Sequence, residues 1–113
     1  MNQPTNLLPQ VSFGILLALS LKPRHGYEIM QQVAEDSGGK VRLGPGALYG
    51  SIKRLNEQGL VEELTGGSQR ERRRYYQLTD SGRQRLGVEM AYFEKSVELA
   101  RQRQASFKRL VYQ

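Results

Sequence analysis

Apolar residues recur along this chain at two periods, and the change of period marks its elements. From Gln10 to Leu21, Val11, Ile15, Ala18 and Leu19 share one helical face, widened by Leu16 and Leu17. Lys22-Pro23-Arg24 ends that helix, since proline cannot continue it and restricts the residue before it. A second helix is expected over His25–Asp36. Tyr27, Met30 and Ala34 fall on one stripe and Ile29 and Val33 on the adjoining one, and Ser37-Gly38-Gly39 is the stop. Gly44-Pro45 opens a third helix that runs to Gln58, with Gly59 as a left-handed cap. Leu48, Ile52 and Leu55, at i, i+4 and i+7, form its core face. Gly46, Gly50, Lys53 and Glu57 then lie opposite, flanked by Tyr49 and Arg54.

After Gly59 the period shortens to two. Leu60–Thr65 and Arg73–Leu78 read as strands joined by Gly66-Gly67-Ser68-Gln69. On the second strand Tyr76 and Leu78 share the inward face, and Arg73, Tyr75 and Gln77 the other. Arg74 is in phase with the inward pair, so its stem is expected along the core edge. Lys40-Val41-Arg42-Leu43 is a candidate strand beside this hairpin. Thr79 is the expected N-cap of a last helix, with Asp80 in its first turn, extending to about Leu110. Leu86, Met90, Phe93, Val97, Ala100, Gln104, Phe107 and Val111 alternate spacings of four and three, a heptad seam with one polar break at Gln104. So long a seam exceeds what a small core covers. The expected partner is the same helix, or the first helix, of a second copy of the chain. The pattern predicts a mostly α fold with a small β-wing. Residues 1–9 would be a flexible arm, 10–79 a winged helix-turn-helix and 80–113 a dimerisation helix.

Composition narrows the partners. The 113 residues suit a single core. Seventeen Lys+Arg against 11 Asp+Glu give a formal charge of +6, which points to a polyanion, nucleic acid before acidic membrane. Without cysteine there are no disulfides or thiolate metal sites, and a reducing cytoplasm fits. His25, the one histidine, has no metal partners or nucleophile evident in the sequence. No catalytic residue, metal or cofactor is therefore expected, and His25 reads as a residue at the helix start or near a phosphate. Val11–Leu21 is too short to cross a bilayer, and no lysine or arginine precedes it as a signal peptide would need.

The candidate chemistry lies in two places. Lys53 and Arg54 project from the third helix, where arginine can meet a guanine edge with two hydrogen bonds and lysine can meet guanine or phosphate. Tyr49 has a hydroxyl suited to phosphate, and Gly50 leaves the outer face bare. Arg70, Arg72, Arg73 and Arg74 crowd the hairpin with Glu71 as the one local counter-charge, an arrangement that suits phosphate neutralisation. On the seam, Leu86, Met90, Phe93, Val97, Ala100 and Phe107 are the candidate dimer contacts. Tyr92 and Phe93 are candidates for stacking on a flat effector, although Phe93 also suits the seam itself.

Three stretches together resemble a known family. They are His25-Gly26-Tyr27-Glu28-Ile29, Leu43-Gly44-Pro45-Gly46-Ala47-Leu48-Tyr49 with Lys53-Arg54-Leu55, and Arg73-Arg74-Tyr75-Tyr76-Gln77-Leu78-Thr79-Asp80-Ser81-Gly82-Arg83. In that order and spacing they resemble the PadR family of bacterial transcriptional regulators, in particular its short members with a single C-terminal helix. The chain departs from the family at Ala47, often serine or threonine there, and at Gly50, often proline. The resemblance implies a homodimeric repressor that binds double-stranded DNA at an inverted-repeat operator. It implies the third helix in the major groove and the wing along the backbone or minor groove, with release in some members by a small aromatic ligand. The alternative is a winged-helix module that turns the same face to an acidic protein.

Overall fold

Among the described residues the elements run α1 (Gln10–Ala18), β1 (Arg24–His25), α2 (Gly26–Asp36), α3 (Pro45–Glu57), β2 (Val61–Glu63), β3 (Tyr75–Leu78) and α4 (Asp80–Tyr112). The computed structural model describes residues 6–64 and 73–112, with side chains as far as Gln104. The expected hairpin turn, Arg70 and Arg72 lie outside the described residues, as do the side chains of Phe107 and Val111.

Helices α1, α2 and α3 enclose one core. Ile15, Leu16 and Leu19 meet Ile29 and Val33 of α2 and Leu48, Ile52 and Leu55 of α3, all buried. On α2 the core face is the Ile29–Val33 stripe, whereas Tyr27 stands 62% exposed. Helix α1 stops at Ala18 rather than Leu21. The Leu19 and Ser20 amides turn to the carbonyls of Leu16 and Leu17, and Arg24 Nε donates to the Ala18 carbonyl at 2.7 Å. These bonds satisfy carbonyls that the helix end leaves open.

The sheet has the order β1-β3-β2, antiparallel throughout. Tyr76 and Leu78 face inward as the alternation requires. The third strand is Arg24–His25, which pairs with Tyr76 and Tyr75, and not residues 40–43. Ser37 explains the difference, because its hydroxyl accepts the Val41 amide at 2.9 Å, a donor that a strand ladder would need. Val41 and Leu43 instead pack against the core. Arg74 also departs from expectation. Regular alternation begins only at Tyr75, and the Arg74 side chain stands 75% exposed with Nε 3.5 Å from Glu63 on β2.

The junctions are built from hydrogen bonds. At the end of α3, Gly59 takes φ +74°, its amide reaches the Asn56 carbonyl and the Leu60 amide reaches the Leu55 carbonyl. This double closure needs a left-handed residue, which glycine adopts without strain. Thr79 joins the next corner: its hydroxyl donates to the Gly59 carbonyl at 2.6 Å and accepts the Gly82 amide at 2.9 Å, capping α4. Gly82 thereby lies against the Leu60 carbonyl, where a Cβ would overlap the oxygen.

Helix α4 divides in two. Leu86, expected on the dimer seam, is 7% exposed and belongs to the core of its own chain. Glu89 and Phe93 still meet Leu8 and Phe13, and only past Phe93 does the helix extend from the body. The radius of gyration is 17.2 Å, against about 13 Å for a compact domain of this length. Residues 6–8 are not loose, since Leu8 is buried and its amide donates to Glu89, while Arg85 holds the Asn6 carbonyl at 3.0 Å. Glu89, 1% exposed, is therefore buried by a segment eighty-one residues away.

Gly82→Ala tests the closeness of the α4 start to the α3–β2 corner. We expect a loss of about 1–3 kcal/mol, the usual range for overpacking against a fixed neighbour, read as a lower urea midpoint with unchanged slope.

Candidate nucleic-acid interface

One surface gathers most of the candidate residues that are described. Because Leu48, Ile52 and Leu55 are buried, α3 turns Gly46, Tyr49, Lys53 and Glu57 outward. Lys53 is exposed and takes part in no ion pair among the described residues, so a Lys53–Glu57 pair is not formed. Arg54 is exposed too, but not free: its Nη2 donates to Ser51 Oγ at 3.2 Å.

Beside α3 lies an open cleft of about 520 Å³, lined by His25, Gly26, Tyr27, Tyr49, Arg73 and Arg74. Its floor is the first turn of α2, where helix amides concentrate positive potential. The Tyr49 side chain reaches from α3 to the start of α2, so that its hydroxyl sits over Gly26 in space that any larger residue would contest. Two aromatic hydroxyls and two guanidinium groups, with no carboxylate among the lining residues, suit an anion.

His25 organises this corner. It is 8% exposed and serves as the N-cap of α2. Nδ1 accepts the Glu28 amide at 3.3 Å, while Glu28 Oε1 accepts the His25 amide at 3.1 Å. This is a capping box with imidazole in place of the usual hydroxyl. An accepting Nδ1 puts the proton of the neutral ring on Nε2, which faces Glu28 Oε1 at 3.2 Å. Arg73 Nη1 also lies 3.3 Å from Nε2. In that tautomer two N–H groups face each other, so proximity rather than a hydrogen bond brings Arg73 over the helix end. Tyr75 meets the imidazole edge-on, ring centres 5.4 Å apart.

The His25 amide hydrogen bond holds the Glu28 carboxyl below its ordinary range. Burial opposes this, and the charges of Lys22 and Arg24 add smaller favourable effects. Burial, then the charge of Glu63, pushes the Tyr76 phenol up, so it stays neutral.

Tyr49, Gly50, Lys53, Arg54 and Arg73, the candidates expected from the sequence, lie on or beside this surface. Ser51, 3% exposed beneath Arg54, was not among them, although the i,i+3 spacing allows the pairing. The approach of Arg73 to His25 joins residues forty-eight apart and leaves no local signal in the sequence. On α4, Met90, Phe93 and Val97 are 42–49% exposed, and Ala100 is exposed as well. Phe93 packs edge-on against Phe13 of α1 at 5.0 Å and Tyr92 at 5.5 Å. Among the described residues, no cluster of His, Asp or Glu could hold a metal, and no helix is long and apolar enough to cross a membrane.

Residues 15–88 match the model of the transcriptional regulator PadR-like family. A PadR family transcription regulator from Clostridium difficile R20291 is 27% identical, with a TM-score of 0.72 over 83% of this chain and 97% of its own. Bacillus subtilis PadR, solved in complex with operator DNA, is 25% identical with a TM-score of 0.63, covering 73% of this chain and 47% of that one. An uncharacterised 37.1 kDa protein in transposon TN4556 of Streptomyces fradiae is 42% identical over 72 residues, and the match spans 19% of its length.

The capping box makes a signed prediction. A depressed Glu28 stabilises the fold above its unfolded value, and that contribution is lost as pH falls from about 4.5 through the depressed folded value. Urea midpoints measured against pH should fall over that acid range, and Glu28→Gln should lower the plateau and flatten this part of the fall.

Proposed function

Because the chain belongs to the PadR-like family of transcriptional regulators, we propose that it binds double-stranded DNA as a homodimer at an inverted-repeat operator and represses transcription from there. The observation that carries the reading is the shared surface of α3 and the cleft. Lys53 and Arg54 face outward on α3 beside a cleft that contains Arg73, Arg74 and two tyrosines but no carboxylate. A helix of this kind enters the major groove, and its flanks meet the backbone.

In this arrangement Lys53 and Arg54 meet base edges, and Gly50, which has no Cβ, leaves room beside the α3 backbone for the Arg54 guanidinium. Tyr49, Arg73 and the first turn of α2 hold a backbone phosphate in the cleft, with Arg70 and Arg72 continuing the grip along the wing. The operator complex of the Bacillus subtilis relative supports the reading by likeness.

Dimerisation is supported by the exposed apolar line on α4. Met90, Phe93 and Val97 remain 42–49% exposed at heptad spacing, and Ala100 and Phe107 continue that spacing in the sequence. Covering them with the same helix of a second copy would remove a contiguous apolar strip from water. Two α3 helices would then sit about 34 Å apart, one turn of B-DNA. Tyr92 and Phe93, half-exposed beside Phe13, are the side chains on which a flat aromatic effector would stack to release the operator.

Selection of bound duplexes from a random pool tests the reading, and an enriched palindrome is expected. Lys53→Ala should then weaken the selected operator by about 1–3 kcal/mol while relaxing one base position per half-site. Arg73→Ala should instead weaken all duplexes alike and lower the salt slope by about one for each phosphate it no longer neutralises. Equal binding by both variants and the parent at matched salt would refute the groove assignment. Val97→Asp should convert dimer to monomer in sedimentation and abolish the preference for paired half-sites. A monomeric parent protein at micromolar concentration would exclude the dimer.

A further inference from the structure

We propose that Ser51 is a positioning residue for Arg54, holding its guanidinium in the orientation that reads a guanine edge in the major groove. The proposal rests on the DNA-binding reading of α3 and assigns a role inside that surface to a residue that faces away from it.

Ser51 is 3% exposed, in the middle of a helix whose other inward residues Leu48, Ile52 and Leu55 are apolar. Serine is a weaker helix former than alanine, and a buried hydroxyl needs a hydrogen-bond partner. Here a partner is the charged head of Arg54, whose Nη2 donates to Oγ at 3.2 Å. Helical side chains run toward the N-terminus, so arginine three residues on can lie back over serine. The other terminal nitrogen, Nη1, lies 3.8 Å from where a Cβ would stand on Gly50. The guanidinium is thus drawn back one turn, from the level of residue 54 to that of residues 50 and 51. Base edges are met toward the N-terminal end of a recognition helix, and this shift carries the guanidinium in that direction.

The bond to Ser51 occupies one of five N–H donors on the guanidinium. The remaining fork can donate to two acceptors side by side, as the O6 and N7 of guanine are. An exposed arginine normally samples many rotamers that binding must freeze, and the buried hydroxyl removes part of that freedom beforehand. Lys53 cannot play this part, because an ammonium offers a point charge rather than a fork.

The test uses the full chain and the palindrome selected from a random pool, with every single base-pair variant of it. Ser51→Ala should weaken the parent operator by about twofold to tenfold, the range for one ordinary hydrogen bond. The loss should fall on the G·C pair that Arg54→Ala relaxes. In an Arg54→Ala background, Ser51→Ala should change nothing further. Its melting temperature should equal or exceed that of the parent, since alanine is the better helix former, so a folding defect would not account for the loss. Unaltered base preference in Ser51→Ala, effects that add fully with Arg54→Ala, or a uniform loss over all duplexes would each overturn the proposal. A parent protein that selects no sequence at all would overturn the DNA-binding reading beneath it, a result distinguishable from these.

Discussion

Burial of Leu48, Ile52 and Leu55 against α1 and α2 is the contact on which the surface chemistry depends. These three side chains are at most 5% exposed, and each contributes roughly 1.5–3 kcal/mol when buried. Turning α3 about its axis would expose them and bury Lys53 and Glu57, at the further cost of desolvating charge. The inner stripe therefore fixes the outer face without any ligand. Tyr49, Lys53 and Arg54 are presented because their neighbours are apolar.

Electrostatics then acts on a frame already set. The ion pair between Arg74 and Glu63 is exposed on both sides, and such pairs contribute about 0–1 kcal/mol. Glu28 is directed to the amide and ring of His25, inside the capping box, and so does not neutralise the wing. Glu28 thus serves the fold, while Lys53 and Arg73 take part in no ion pair with a carboxylate among the described residues. The same cap ties α2 to the wing, since His25 starts α2, pairs with Tyr75 through its backbone and touches Arg73 through its ring.

The last helix is shared between two environments. Its opening is fixed by Thr79 and by Gly82 against Leu60, and Leu86 closes the core. One turn later Glu89 is buried among groups that satisfy it only in part. Oε1 accepts the Leu8 amide, while Oε2 lies 3.8 Å from Arg85 Nε without a hydrogen bond. A buried pair of this geometry is weak support for stability. Its evident consequence is positional, because it ties residues 6–8, and through them the start of α1, to α4. The Phe13–Phe93 packing adds a second tie between those helices. Past Phe93, none of the described α4 side chains, as far as Gln104, belongs to the core.

The extents of α2, α3 and α4, the cap at Gly59, the start at Thr79 and the inward pair Tyr76 and Leu78 could be read from the chain, because each rests on neighbours within a few residues. Periodicity and capping are local, and this sequence states them without conflict. The third strand could not be read that way: Arg24-His25 carries no strand pattern, and it pairs because β3 has an open edge beside α2. Nor could the burial of Glu89, the docking of Leu8, the transfer of Leu86 from seam to core or the approach of Arg73 to His25, since each joins parts of the chain far apart in sequence. Periodicity shows which face of a helix is apolar. Only the assembled fold decides whether that face meets its own core, as at Leu86, or is left open, as at Val97, because that depends on how far the body extends along the helix.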